Sequence, residues 1–492
     1  MKSSYSTLLL LFSVCYTAYA QQEFSSFPIA IEKAEYDDRE ALFIPSHDNT
    51  TGMFVSDDSK MHFLMLGEDG QPLMDKTENM PSNYGSLKRA GAGTLGGDYM
   101  CYFLQTNKKV FAFKANATTK SLVYAQLPFN GNTILLLAAG KEFAYVVTTS
   151  DNSKDELMLY KYTSFTEPEA LKIKTNEADF YKAFSINSSK STEEIAVLPL
   201  NSTAHFDKTQ ATAKCYFDEN KLIITSDEKD GNTKILTISS ADGSSTLSTI
   251  KTNIITDKKT ITKSVLFKNT LWQLVVTQTQ FVISGTDIAN NTLVYTSEKD
   301  ERFDTEAYIE SSYTFRSGYS RERKSTSKTS LIKTFQRSDI SGIGIVESNN
   351  GKLLLVTGAI NKNNLSDPSI ENSEIVQTSS VNMIVIMERA FSDLHIPSYS
   401  SYQQSLLSFK KEIWMYNTWQ LTPAGTSITR AMPEDLPALE EGLDMYFRDP
   451  QNHTAPAVWK QGDKFLFGYY NSKSHLYSLY AIAGRKSESN RR

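Results

Sequence analysis

The sequence predicts an all-β chain assembled from many short antiparallel strands. Three observations lead there. Short apolar or alternating runs recur along the chain, polar turns rich in Asp, Asn, Ser and Gly separate them, and no long run of helical period interrupts them. The density of Ser, Thr, Asn, Tyr and Phe, rather than Ala, Glu and Leu, excludes a coiled coil. At 492 residues, 40% hydrophobic and 22% charged, the chain is too apolar for disorder and long enough for a sizeable core.

The clearest unit begins with Ile134–Ala139, turns at Gly140-Lys141-Glu142 and continues through Phe143–Val147. A hairpin at Asp151-Asn152-Ser153 then leads into Leu157–Tyr162. A second unit reads Cys215–Phe217, Asp218-Glu219-Asn220, Leu222–Ile224, then Asp230-Gly231-Asn232 and Ile235–Ile238. A third runs from Val265–Phe267 through Lys268-Asn269-Thr270 to Leu271–Val276, and its Phe-Lys-x-x-aliphatic-Trp form returns at Phe409–Trp414. Turns of this kind fall near positions 58, 97, 141, 219, 269, 350, 410 and 462.

Most of these spacings lie at or a little above the ~40–50 residues of a four-stranded propeller blade, and two are near twice that. Radial repetition lets an all-β chain avoid exposed sheet edges. In this respect the sequence resembles exported β-propeller proteins as an architecture, which implies a single propeller of about seven blades, with six or eight as alternatives. Neither a WD dipeptide nor a kelch Gly-Gly pattern is present, so the resemblance names no family. Two consecutive β-sandwich domains are the alternative fold.

Such a ring implies closure by an amino-terminal strand. The candidates are Phe27–Ile31 and Ala41–Ile44, pairing with Leu476–Ile482. The expected organisation is a signal peptide over 1–20, a propeller over 21–484 with inserted loops near 187–212 and 300–337, and a disordered basic tail over 485–492. One short helix-like piece is expected over Pro433–Glu441, limited by Pro437.

Lys2, the apolar run Leu8–Val14 and the small-x-small triplet Ala18-Tyr19-Ala20 form a secretory signal, with cleavage after Ala20. The apolar run is too short to cross a bilayer. The expected location is therefore periplasmic or extracellular, soluble after cleavage. A lipid-anchored Cys15 is disfavoured by the bulky Val14 before it. Cys101 and Cys215 would be the remaining thiols, and each sits in a strand-like run where a buried, unpaired cysteine is the commoner case. Asn-x-Ser/Thr triplets at Asn49, Asn116, Asn187, Asn201, Asn290, Asn364 and Asn452 would mark exposed loops only in a glycosylating source.

The 51 Lys and Arg against 56 Asp and Glu exclude a basic nucleic-acid binder. His47, His62, His205, His395, His453 and His475 share no metal-ligand spacing, and no metal or cofactor is expected. Asp227–Gly231 has the acids of a calcium loop, but a lysine interrupts it and the hairpin context favours a turn. No Gly-x-Ser-x-Gly elbow occurs, and Ser325–Lys328 matches Ser-x-x-Lys without its companion motifs. Gly91–Gly96 matches Gly-x-Gly-x-x-Gly yet runs into the strand Tyr99–Leu104, not a helix.

Three groups remain as candidates for binding or chemistry. Glu434, Asp435, Glu440, Glu441 and Asp444 could join carboxylates from other blades, as glycosidases require. Arg316, Arg321, Arg323 and Lys324 beside Tyr313 and Tyr319 could hold an anionic glycan or protein. Trp414, Trp419 and Trp459 could offer a stacking surface, although tryptophan in strands is usually core. With no local catalytic motif, catalytic residues stay unassigned. The expected function is a non-catalytic binding or scaffold module for a protein or glycan partner. A carbohydrate-active hydrolase or lyase and a structural envelope protein are the alternatives.

Overall fold

The computed structural model describes residues 23–31, 41–45, 50–57, 59–81, 87–105, 108–130, 133–149, 156–173, 195–202, 204, 206, 209–297, 313–316, 328–338, 340–347, 353–361, 413–422, 428–430, 453–461 and 464–482. These residues form thirty strands in seven sheets and one α-helix. The fold is all-β. The signal peptide, the Pro433–Glu441 piece and the basic tail lie outside the described residues.

β1 (Glu23–Pro28) is separated in sequence from the sheet it joins. Sheet I follows it, with β2 (Ala41–Pro45), β3 (Thr51–Ser56), β4 (Lys60–Leu66) and β5 (Pro72–Asn79) in consecutive order. Sheet II repeats the pattern with β6 (Leu87–Leu95), β7 (Asp98–Gln105), β8 (Lys109–Asn116) and β9 (Ser121–Gln126). Sheet III has β10 (Ile134–Ala139), β11 (Ala144–Thr149), β12 (Leu157–Tyr162) and β13 (Pro168–Ile173). In sheet IV, β14 (Ala196–Pro199) lies parallel to β15 (Ala213–Phe217), ahead of β16 (Lys221–Asp227), β17 (Thr233–Ser239) and β18 (Ser245–Ile250).

Sheet V comprises β19 (Ile261–Phe267), β20 (Thr270–Val276), β21 (Phe281–Asp287) and β22 (Thr292–Thr296). Sheet VI has the order β23-β26-β25-β24, from β23 (Tyr313–Arg316), β24 (Ile340–Glu347), β25 (Leu353–Asn361) and β26 (Ile413–Leu421), while β27 (Ile428–Arg430) pairs with the other half of β26. α1 (Lys328–Arg337) sets Ile332 and Phe335 into the core beside sheets V and VI, with the Phe335 ring edge-on to Phe281. Sheet VII is β28 (His453–Gln461), β29 (Lys464–Asn471) and β30 (Leu476–Ile482), completed by β1, whose Phe27 pairs with Tyr477. The first of the two predicted closing strands is thus the one used.

Turn chemistry explains the hairpins. Lys268 and Asn269 have φ of 46° and 62°, and Gly96 and Gly97 have 59° and 80°. Two consecutive left-handed residues match the twist of the strands they join. Asp218 accepts the amides of Asn220 and Lys221 at 2.8 and 2.9 Å and closes the next tight turn in the same way as a helix cap.

Alternation along each strand decides the packing. On β4, Met61 and Phe63 join a core shared with sheet II, and Leu64 and Leu66 join one shared with sheet VII. On β7, Tyr99, Cys101 and Phe103 face sheet I while Met100 and Tyr102 face sheet III. Likewise Ala144 and Val146 face sheet II, Tyr145 and Val147 face sheet IV, and on β20 Leu271 faces sheet IV and Trp272, Leu274 and Val276 face sheet VI. Sheets I to V therefore bury both faces, one against the preceding sheet and one against the next. The cores link VII, I, II, III, IV, V and VI in that order.

The two ends of the sheets differ. At the end where β2 joins β3, here the turn end, every hairpin connection is short, 422–427 being the longest, while the stretch 200–212 leaves β14 at this end and reaches the start of β15 at the other. The strands that flank 29–40, 174–195, 251–260, 362–412 and 431–452 meet those stretches at the opposite, loop end, as do β22 and β24 on either side of β23 and α1. Neighbouring sheets share these ends: Glu142 N donates to Thr94 O at 2.7 Å at the turn end, and Ser264 N to Asp227 Oδ2 at 3.0 Å at the loop end.

Candidate functional site

The stretch 187–212, expected as an inserted loop, carries β14 on the β15 edge of sheet IV and residues that bond to the β24 edge of sheet VI. After β14, Leu200 N donates to Phe217 O and Ser202 Oγ to Pro199 O, both at 2.6 Å. The chain then turns back along β24. Ala204 and Ile345 exchange both backbone hydrogen bonds, at 2.7 and 2.8 Å, and Thr209 Oγ1 donates to Ile343 O at 2.5 Å. Phe206 is wholly buried between these points. A side chain at Gly342 would strike the Phe206 backbone, and one at Gly358 would strike its ring. Those two glycines are explained by the close approach.

The return leg is pinned by a buried polar network. Lys214 Nζ lies 2.6 Å from Asp227 Oδ2 and donates to Ala211 O at 2.9 Å, with both charged side chains at or below 1% exposure. Asp227 also accepts Ser264 N at 3.0 Å, Ser264 Oγ at 2.6 Å and Thr233 Oγ1 at 3.0 Å. Gln273 Nε2 donates to Thr233 Oγ1 at 2.9 Å. The carboxylate is saturated with donors from sheets IV and V, so it holds these strands and the Ala211 carbonyl in register and has no oxygen directed at a ligand.

A second polar group sits at the loop end of sheet I. Asp57 Oδ2 is 3.1 Å from His62 Nε2, and His62 Nδ1 is 3.1 Å from the exposed Thr77 Oγ1. The order acid, imidazole, hydroxyl suggests a relay, but Asp57 Oδ1 also accepts Ser59 N at 2.8 Å and Lys60 N at 2.6 Å, closing the β3–β4 turn. Burial pushes the Asp57 carboxyl up. The Ser59 and Lys60 amides and His62 outweigh that and leave it below its ordinary value. No second group converges on Thr77 among the described residues, and the arrangement locks a turn. Sequence reading passed over His62 because its partners come from separate strands.

The sequence candidates are not gathered into a site. Arg316 and Tyr313 lie on β23, at the outer edge of sheet VI, whereas Arg321, Arg323, Lys324 and Tyr319 fall outside the described residues. The acidic group from Glu434 to Asp444 is also outside them, as are His47, His205, His395 and Ser325 to Ser327; Lys328 opens α1. Trp414 and Trp419 lie on β26 and Trp459 on β28, and Trp419 is buried in the core. Gly91–Leu95 belong to β6, and a side chain at Gly93 would strike the Gly140 carbonyl, so close approach of β6 to β10 accounts for that glycine. Asp227 to Gly231 form the β16–β17 turn. Among the described residues no group of three or more His, Cys, Asp or Glu is placed to hold a metal ion.

Cys101 and Cys215 are buried and are not joined in a disulfide, and burial pushes the Cys215 thiol well up, out of the nucleophilic range. Among the described residues no helix is long and apolar enough to cross a membrane.

No protein-family model and no curated protein matches the sequence. Among solved structures, AztD from Citrobacter koseri aligns at 11% identity over 52% of this chain and 58% of that chain, with a TM-score of 0.27. Kluyveromyces lactis Hsv2 aligns at 13% identity over 65% of this chain and 70% of that one, with a TM-score of 0.29. A puromycin-hydrolyzing peptidase of Mycobacterium tuberculosis aligns at 14% identity over 66% of this chain and 44% of that one, also at 0.29. The aligned part thus spans less than two thirds of the AztD chain, and at these scores the likenesses carry no functional argument.

Proposed function

We propose that the chain is a seven-bladed β-propeller, exported by its amino-terminal signal, that serves as a non-catalytic binding or scaffold module for a protein or glycan. Serial packing of seven sheets and completion of sheet VII by β1 support the ring. A ring further requires sheets VI and VII to be neighbours. The observation that carries the binding reading is the asymmetry of the two ends: short hairpins at one, and at the other the strand ends from which most of the long stretches of sequence depart. Binding residues gather on loops held by a rigid scaffold, and the loop end is therefore the binding face. The inner-edge polar groups of sheets IV and VI are satisfied by the chain itself, which weighs against a catalytic pocket on the axis.

Single-particle imaging of the purified chain is expected to show a seven-lobed disc. A partner captured from the cell envelope or medium is expected to cross-link through the exposed loop-end lysines Lys108, Lys109, Lys229, Lys251, Lys258 and Lys259. Cross-links confined to the turn-end Lys120, Lys141 and Lys268 would overturn the assignment of the face. Turnover of an oligosaccharide by the purified chain would replace the non-catalytic reading with the hydrolase.

A further inference from the structure

We infer that the axis of the ring is closed from within by the chain's own residues Ala204, Phe206 and Thr209, held on sheet VI and keyed there by the Phe206 ring. The inference uses the propeller reading only for the word axis, since the contacts themselves stand between sheets IV and VI. β14 covers the inner edge of β15, and the returning chain covers the inner edge of β24 through the Ala204–Ile345 pair and Thr209. Both inner edges are thus occupied by strand addition in cis, the mode by which an extended partner adds to an exposed sheet edge.

Phe206 supplies the key. Its ring fills the place a side chain would take at Gly358 on β25, and its backbone fills the place of one at Gly342 on β24. Phe206 is 0% exposed, Ala204 1% and Thr209 0%, although the surrounding Asn201-Ser202-Thr203 and Lys208-Thr209-Gln210 are polar in sequence. The base of the segment is fastened twice, by Lys214 to Ala211 O and by Lys263 Nζ to Gln210 O. A phenyl ring set against two glycines, two residues from the Ala204–Ile345 bridge, is a built receptor that already holds its ligand.

The test uses the whole mature chain and benzene or toluene as the probe. Phe206→Ala empties the slot, and an apolar cavity of ring size binds such aromatics. The melting temperature of Phe206→Ala is expected to fall by several degrees and to recover partly in saturating toluene, whereas the wild type is unmoved by it. Gly358→Ala is expected to destabilise on its own and to cost little when combined with Phe206→Ala, because the added methyl then meets no ring. Hydrogen exchange at the Ala204 and Ile345 amides is expected to quicken together in either single variant. Should Phe206→Ala not accumulate as folded protein, Phe206→Leu carries the same exchange test. A Phe206→Ala chain with wild-type melting and exchange would overturn the inference, and so would additive effects of the two substitutions with no aromatic rescue. Those results leave a seven-lobed disc untouched, and a molecule without that shape would sink the propeller reading while the slot contacts stood.

Discussion

The Lys214–Asp227 pair offers the sharpest test of the packing. Both side chains are withdrawn from water, and the two sit at 2.6 Å. Breaking a buried pair by removing one partner costs roughly 3–5 kcal/mol, because the other charge stays buried and uncompensated. The structure makes the two halves unequal. Without Lys214, Asp227 still accepts from Ser264 N, Ser264 Oγ and Thr233 Oγ1. Without the Asp227 charge, Lys214 keeps only the neutral Ala211 carbonyl. Asp227→Asn should therefore cost the full ~3–5 kcal/mol. Lys214→Met should cost less, about 1.5–3 kcal/mol for a lost charged hydrogen bond. The double variant Lys214→Met/Asp227→Asn should be more stable than Asp227→Asn alone, since the amide oxygen can still accept Ser264 N while its NH2 donates to the Ser264 and Thr233 hydroxyls, and no charge is stranded. Urea denaturation followed by intrinsic fluorescence reads all four chains at constant m-value. Additive effects, or a loss below about 1 kcal/mol for Asp227→Asn, would mean that water reaches the pair and that it does not fasten the inner segment.

Two further predictions follow from other parts of the fold. The Asp57 carboxyl lies below its ordinary value in the folded chain, so on acidification the unfolded chain takes up this proton first. Its contribution is complete above the unfolded value near pH 4 and is lost as pH falls through the lower folded value. Asp57→Asn should thus flatten the decline of melting temperature below about pH 4, and an unchanged slope there would refute the assignment. Separately, a chain beginning after Pro28 should aggregate or melt early, because it exposes the β30 edge and strips Phe27 from the core beneath Tyr477. Size-exclusion elution and melting temperature check this, and a monodisperse chain with unchanged melting would show that β1 is dispensable.

The sequence made the hairpins legible because tight turns are local chemistry. The marks at 97, 141, 219, 269, 350 and 462 all fall between successive strands at the turn end, and 58 falls at the β3–β4 turn of the loop end. The mark at 410 lies outside the described residues. The β1–β30 pairing was legible from strand-like runs at the two ends of the chain. What composition concealed is long-range. Asn201–Gln210 reads as a polar loop, and nothing local in it announces an exchange of hydrogen bonds with Ile345. Lys214 sits in a strand whose neighbours are Cys215 and Tyr216, and its partner Asp227 looks like a turn acid. The stretch 300–337, expected as an inserted loop, contains β23 and α1, whose Ile332 and Phe335 give too short an apolar face to stand out among serines and threonines.

The difference between the two ends has a physical source in the turns themselves. At the turn end the sheets are stitched to one another through the hairpins. Glu142 accepts Thr94 Oγ1 at 3.0 Å and Gly96 N at 2.5 Å from sheet II, and its own amide is held by Thr94. The Glu219 carbonyl of sheet IV takes Tyr145 Oη at 2.5 Å and Lys161 Nζ at 3.2 Å from sheet III. Burial first, and the charges of Asp218 and Glu219 after it, push the Tyr145 hydroxyl up to about 12, so it stays a donor across the physiological range. Asn201 accepts Lys268 N in the same manner between sheets IV and V. An insertion into any of these turns would cut a link between neighbouring sheets whose two apolar faces cannot stand alone in water. At the loop end the Asp227–Ser264 contact between sheets IV and V is made by residues inside β16 and β19, so chain added between strands leaves it in place, and surface able to recognise a partner accumulates where length is tolerated.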